Sequence, residues 1–290
     1  MGRLSAMTAC DTAFRVAARR YFGDLTANHA ATCQGDPEAL HQMRIALTRL
    51  RTAISFFSPM VADVARKQIR AELKWLNTAL GVVRDLDVAI ERHRAIGKRR
   101  PPAKLRSWEA ERAAHHQRLA RALRSARYRH LVRSTSDWIE NGPWSVSRGK
   151  KAARKRACPV GAYSVAKLAR WQNKLLKKCR KLPRMSERKR HRLRLLNKKL
   201  CYSIEFFADL FPDRKSSRQP PALKVLRKAQ KSLGQLNDDA KGRSLASALQ
   251  RDGGRPAKPP RHRGREKRLL RTASAAYRKL AALKPIGRLT

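Results

Sequence analysis

Two segments of the chain carry histidine and cationic side chains at the same spacing. Residues 41–57 read HQMRIALTRLRTAISFF, and residues 191–207 read HRLRLLNKKLCYSIEFF. On a helix, positions i, i+3, i+7 and i+10 stack along one ridge, where their side chains can address one ligand. The first ridge consists of His41, Arg44, Thr48 and Arg51, and the second ridge of His191, Arg194, Lys198 and Cys201. Both ridges are cationic, which favours binding of an anion.

An apolar stripe runs beside each ridge, as expected of a helix that packs one face against a core. The stripe residues are Met43, Ala46, Leu47, Leu50, Ile54 and Phe57 in the first segment, and Leu193, Leu196, Leu200, Ile204 and Phe207 in the second. For the paired phenylalanines, core packing is favoured over a role in stacking on bases.

A second pair of segments repeats in the same order. Residues 73–87, LKWLNTALGVVRDLD, match residues 223–239, LKVLRKAQKSLGQLNDD, so that Gly81 falls on Gly234 and Asp85 on Asp238. Glycine there would let neighbouring helices approach closely. Two matched blocks in one order indicate an internal duplication. We therefore divide the chain into two halves, residues 1–150 and 151–290.

Helical periodicity is found along the whole chain, and no convincing strand pattern is present. The predicted helices include residues 5–32 and 107–140, and Asp36 followed by Pro37 is a start signal for the first ridge helix. Residues 252–266 combine glycine, proline and basic residues and are predicted to form a basic loop. The expected fold is all-α, with two similar helical bundles related by a pseudo-twofold axis.

The charge of the chain constrains its partners. Its 69 Lys and Arg residues against 21 Asp and Glu give a net charge of +48, which favours a polyanionic partner. No apolar run reaches the roughly 20 residues of a membrane-spanning helix, and the N-terminus lacks a signal-peptide pattern, so we expect a cytosolic protein without a membrane partner. The five scattered cysteines are expected to be reduced.

These segments together resemble the CHAD family, the conserved histidine α-helical domains. The likeness rests on HQMRIALTRLR, ELKWLNTALGVVRDLDV, HRLRLLNKKLCYSIEFF and LGQLNDD. The resemblance implies two four-helix bundles that form one CHAD domain with a basic central channel. It also implies non-catalytic binding of inorganic polyphosphate and residence at polyphosphate granules. We expect neither a cofactor nor a metal.

The resemblance also assigns ligand-facing positions. The polyphosphate-binding residues it implies are His41, Arg44, Arg49, Arg51, Lys74, Arg84, His191, Arg194, Lys198 and Lys199. Two positions depart from the family pattern, because Thr48 stands where the first motif usually has a basic residue and Cys201 where the second usually has arginine. Each ridge therefore lacks one cation.

Other interpretations remain open. A charged row beside an apolar stripe can be an ordinary solvated helix face, and His41 and His191 can be interior histidines. Non-specific binding of RNA or DNA would follow from the charge alone. An enzyme acting on polyphosphate or triphosphate is a further alternative, in which Asp85 and Asp238 would be the candidate carboxylates. A salt-bridge or capping role suits them better amid so many cations, and no nucleotide-binding or metal-binding motif is present.

Overall fold

The computed structural model describes residues 4–95, 102–146, 149–208, 220–249 and 263–283. Within these ranges the structure is helical, and the single β element is an isolated antiparallel bridge between Ala9 and Pro159. The helices are α1 (Cys10–Ala27), α2 (His29–Gln34), α3 (Pro37–Phe56), α4 (Ala65–Ala95), α5 (Pro102–Arg124), α6 (Ala126–Asn141), α7 (Pro143–Val146), α8 (Lys150–Ala157), α9 (Val160–Cys179), α10 (Glu187–Phe206), α11 (Pro221–Leu249) and α12 (Arg263–Ala282). The predicted all-α fold is confirmed.

The described residues fall into two compact units. The first unit lies within residues 8–159 and holds α1–α8, and the second consists of residues 4–7 with the residues from 160 onward and holds α9–α12. Most of the predicted basic loop at 252–266 lies outside the described residues. The last residues of that predicted loop are helical, because α12 begins at Arg263.

Two helices predicted as continuous are interrupted. The predicted helix over 5–32 is divided at Asn28, where α1 ends and α2 begins. The predicted helix over 107–140 is divided at Ser125, whose side chain accepts a hydrogen bond from the Tyr128 amide and caps α6. Apolar periodicity continues across both breaks, but a polar side chain that bonds to nearby backbone can interrupt a helix locally. Asn28 donates from its amide to the Asp24 carbonyl, and Ser125 accepts from the Tyr128 amide.

The start of α3 is as the sequence predicted. The Asp36 side chain accepts hydrogen bonds from the Glu38 and Ala39 amides, and Pro37 occupies the first helical position. This cap fixes where the first ridge begins. The apolar stripe of α3 is buried along its whole length, with Met43, Leu47 and Leu50 completely inaccessible and Phe57 only 1% exposed. Burial of the stripe determines which side chains of α3 remain at the surface.

One buried position of the second unit carries an amide where the first unit has a leucine. Asn197 on α10 falls on Leu47 of α3 in the repeat and is completely buried. Its amide donates to the Leu226 carbonyl at 3.1 Å and to Gln230 Oε1 at 2.9 Å, and its Oδ1 accepts from the Tyr277 hydroxyl at 3.1 Å. The amide therefore connects α10 with α11 and α12. Leu196, which was predicted for the stripe, is only half-buried.

Asp63 joins three parts of the first unit before α4 begins. Its carboxylate accepts a hydrogen bond from the Arg66 amide at 2.7 Å, from Trp138 Nε1 at 2.9 Å and from the Trp144 amide at 3.2 Å. Trp138 and Trp144 are both buried, and each packs edge to face against Phe14 of α1. One carboxylate thus fixes the start of α4 relative to α6 and α7.

We expect Asp63→Asn to lower the free energy of unfolding by roughly 1–3 kcal/mol, because an amide NH2 group would face donors that now bind a carboxylate oxygen. Urea titration followed by tryptophan fluorescence measures this loss, since Trp138 and Trp144 lie at the site. Asp137→Asn, at an exposed position of α6, is the matched control. An unchanged unfolding midpoint in Asp63→Asn would contradict this role.

Candidate functional site: two cationic ridges

The first ridge lies along α3 next to α4. Arg44 donates a hydrogen bond from Nη1 to the Gly81 carbonyl at 3.2 Å, and the same nitrogen lies 3.9 Å from Asp85 Oδ1. The Arg44 side chain is 25% exposed. The backbone of α4 therefore holds this guanidinium in position while part of it faces solvent. Asp85 takes the salt-bridge role that its surroundings favoured over acid catalysis.

The remaining positions of the first ridge are less exposed than a solvated helix face would be. His41, Thr48 and Arg51 are all half-buried. Thr48 donates its hydroxyl hydrogen to the Arg44 carbonyl at 2.8 Å, so its side chain is turned back to the helix. Burial lowers the pKa of Arg51, and the nearby positive charge of Arg70 on α4 lowers it further. Arg70 is a cation of this surface that the ridge spacing did not reveal, because it belongs to the neighbouring helix.

The other cations assigned to the first half lie in different surroundings. Arg84 donates to Glu91 at 2.9 Å and lies 3.9 Å from Asp87, so carboxylates of α4 neutralise much of its charge. The Arg49 guanidinium lies over the Tyr21 ring, 5.9 Å from its centroid, on the side of α3 that packs against α1. Lys74 is exposed on α4. Arg44 and Arg51 are therefore the cations of α3 that stay on the ridge.

The second ridge lies along α10 next to α11. His191 Nδ1 lies 2.6 Å from Asn237 Oδ1, and the Asn237 amide donates to Asp238 at 3.3 Å. Because a carbonyl oxygen only accepts, Nδ1 carries the proton in this pair. The imidazole is thereby oriented by an amide on the neighbouring helix.

Arg194 crosses α11 at the glycine of the repeated motif. A Cβ built on Gly234 would lie 4.0 Å from Arg194 Nε. That Nε–H is buried, and it has no hydrogen-bond acceptor among the described residues. A buried donor left without an acceptor costs roughly 1–3 kcal/mol, and more when it is charged. The geometry therefore leaves a donor available to an anionic ligand beside Gly234.

The last positions of the second ridge differ from one another. Lys198 places its ammonium 5.4 Å from the centroid of the Tyr202 ring, and Lys199 is half-buried. Cys201 is buried, and burial raises the pKa of its thiol to about 12. The thiol is consequently neutral and adds no charge to the ridge, whereas its counterpart in the repeat, Arg51, does.

The arginine that follows the histidine meets a glycine of the neighbouring helix in both units. Arg44 donates to the Gly81 carbonyl in the first unit, and in the second Arg194 Nε lies 4.0 Å from where a Cβ on Gly234 would stand. A Cβ built on Gly81 would meet nothing within 4 Å, so close helix packing does not require this glycine, contrary to the expectation from sequence. The shared feature is instead a cation placed over an uncovered stretch of helix backbone.

The described residues contain no group of three or more His, Cys, Asp or Glu side chains that could hold a metal ion. Among the helices of these ranges, none has the length and apolar character needed to cross a bilayer. The arrangement that the ridges offer is a set of fixed cationic donors, with guanidinium groups whose planar geometry matches phosphate oxygens.

Comparisons with known proteins agree with this architecture. A family model described as the CHAD domain matches residues 16–247 of the chain. The chain is also similar to a solved structure described as the crystal structure of the CHAD domain from the plant Ricinus communis, with 25% identity and a TM-score of 0.75. That similarity covers 98% of this chain and 96% of the plant domain. No curated protein sequence matches the chain.

Proposed function

We propose that this chain, which belongs to the CHAD domain family, binds inorganic polyphosphate through its two cationic ridges without catalysing a reaction. The observation that carries the proposal is the buried Nε–H of Arg194, which lies beside Gly234 without an acceptor among the described residues. Its counterpart Arg44 occupies the corresponding place beside Gly81. A ligand rich in anionic oxygens would supply the acceptor that Arg194 lacks and would add a further contact to Arg44.

Polyphosphate suits these ridges because it carries one anionic oxygen on every internal phosphorus and has neither bases nor sugars. A receptor for it needs cationic donors repeated at about one helical turn, which the spacing of each ridge provides. A charge-assisted hydrogen bond contributes roughly 1.5–3 kcal/mol, so several aligned bonds outweigh the entropy lost in ordering a short polymer segment. Because Asn237 engages Nδ1 of His191, a contact of this ring with a phosphate oxygen would be made through Nε2.

We also propose that the two ridges serve one basic channel, as the family resemblance implies. On this proposal a single polyphosphate chain contacts both ridges, and the protein acts at polyphosphate granules in the cytosol. Titration should then give one long polyphosphate per protein. Two independent sites of equal affinity would argue against a shared channel.

Non-specific binding of nucleic acid is the second candidate function. Helix α8, with the sequence KKAARKRA, has no buried residue, and the chain carries a net charge of +48. Such a surface attracts any polyanion in a salt-dependent manner. Competition separates the two functions, because a defined phosphate site should prefer polyphosphate over RNA at equal phosphate concentration and 0.15 M salt. Failure of polyphosphate to displace RNA would favour nucleic acid as the main ligand.

We expect the double substitution Arg44→Ala and Arg194→Ala to weaken polyphosphate binding by at least about 100-fold, because it removes two charge-assisted contacts. Isothermal titration calorimetry at 0.15 M salt measures the change. The matched control is Arg20→Ala with Arg278→Ala, which removes the same charge from exposed positions, one in each unit. Equal losses in the two double variants would mean diffuse attraction without a defined site.

We expect Thr48→Lys to tighten polyphosphate binding by roughly threefold to tenfold, because it supplies the cation that the first ridge lacks and that Lys198 supplies in the second. The same calorimetric titration measures it. Ser134→Lys is the control, since Ser134 also donates to a carbonyl four residues earlier, at 2.7 Å, but lies on α6. The role of the first ridge would be refuted by equal gains in both variants.

A further inference from the structure

Two cysteines of the first unit, Cys10 and Cys158, lie beside each other although they are far apart in the sequence. Cys10 is the first residue of α1, and Cys158 follows the last residue of α8. The Cys10 amide donates a hydrogen bond to the Cys158 carbonyl at 3.0 Å, and the adjacent residues Ala9 and Pro159 form the isolated antiparallel bridge. The backbone therefore holds the two cysteines as an opposed pair.

The side chains of this pair are also in contact. Both are free thiols. Burial raises the pKa of the Cys10 thiol to about 12, with smaller contributions in the same direction from the charge of Cys158 and from a hydrogen bond between the two side chains. Opposed residues joined by an antiparallel backbone hydrogen bond have Cα atoms roughly 5.5 Å apart, which a disulfide readily spans. The backbone is thus already placed for an S–S bond.

The two thiols differ in their access to solvent. Cys10 is completely buried, whereas Cys158 is partly exposed. Helix α8, which leads into Cys158, has no buried residue, so this segment lies at the surface of the unit. A small oxidant in solution therefore meets Cys158 first, and Cys10 lies behind it, where a resolving thiol is needed.

We propose that Cys10 and Cys158 form a reversible oxidation site, at which hydrogen peroxide converts the two thiols into a disulfide that stabilises the first unit. The Cys158 sulfur attacks one peroxide oxygen, the O–O bond breaks, and proton transfer leaves a sulfenic acid and one water. The Cys10 sulfur then attacks the sulfenic sulfur. The S–S bond forms, the S–O bond breaks, and the oxygen leaves as a second water with the Cys10 proton. The thiols lose two electrons, which reduce the peroxide.

The position of the pair gives the bond its effect. The first unit lies within residues 8–159, so a bond between Cys10 and Cys158 closes almost the whole unit into one covalent loop. A cross-link restricts the unfolded chain more strongly as the loop becomes longer, which favours the folded state. In a reducing compartment such bonds form transiently, in response to an oxidant. This inference does not depend on the function proposed for the ridges.

Treatment of the full chain with hydrogen peroxide, followed by blocking of the remaining thiols and non-reducing peptide mass spectrometry, tests the proposal. We expect a peptide pair that links Cys10 to Cys158 and that dithiothreitol separates. The midpoint of thermal unfolding should rise by roughly 5–15 °C in the linked protein and return to its original value after reduction. Absence of the linked peptides, pairing of Cys158 with a different cysteine, or a midpoint that does not rise would overturn the proposal.

Three variants assign the roles of the two sulfurs. Cys158→Ala should abolish both the linked peptides and the rise in the midpoint. Cys10→Ala should leave Cys158 as a sulfenic acid that dimedone traps, because the resolving thiol is absent. Cys179→Ala is the matched control, since Cys179 is also a partly exposed free thiol but belongs to the second unit.

Circular dichroism verifies that each variant is folded before treatment. We expect Cys179→Ala to form the linked peptides and to gain stability as the parent chain does. A rise in the midpoint that persists in Cys158→Ala would mean that peroxide acts at other residues, and it would overturn the proposal. Loss of the rise in Cys179→Ala would do the same.

Discussion

The central physical constraint in this protein is that guanidinium groups are held partly out of water, next to an apolar stripe that packs into a core. Each ridge helix buries one face in a core, and burial of that face brings the adjacent row against the neighbouring helix. Arg44 is consequently fixed by a backbone carbonyl, and Arg194 has a buried donor. A cation in this position has lost part of its hydration, so an anionic ligand gains more from it than from a freely solvated lysine.

Much of the fold follows from local sequence signals. Asp36 and Pro37 predict the start of α3, and the spacing of Met43, Leu47 and Leu50 predicts its buried face. These features depend on residues within one or two helical turns of each other, so local sequence patterns are enough to predict them. The breaks at Asn28 and Ser125 were missed because the apolar period continues through them, and the interruption is made by side chains that bond to nearby backbone.

The candidate site was harder to predict because its character depends on contacts between helices. Periodicity places Arg44 and Arg51 on one row, but it cannot show that Arg84 faces carboxylates of its own helix or that Arg49 lies over Tyr21. Arg70 was missed for the same reason, since it approaches Arg51 from α4. Asn197 is a polar residue at a position that is apolar in the first ridge helix. Only the tertiary structure shows that Tyr277 and Gln230 provide hydrogen-bond partners for its buried amide.

The two ridges are duplicated in sequence but unequal in electrostatics. In the first, Asp85 lies near Arg44, and Asp87 and Glu91 compensate Arg84. In the second, Arg84 is replaced in the repeat by Asn237, which orients His191 and engages Asp238. The Arg194 Nε–H is then left without an acceptor among the described residues. Because an unsatisfied charged donor gains most from a new acceptor, an anionic ligand would gain more from the second ridge than from the first.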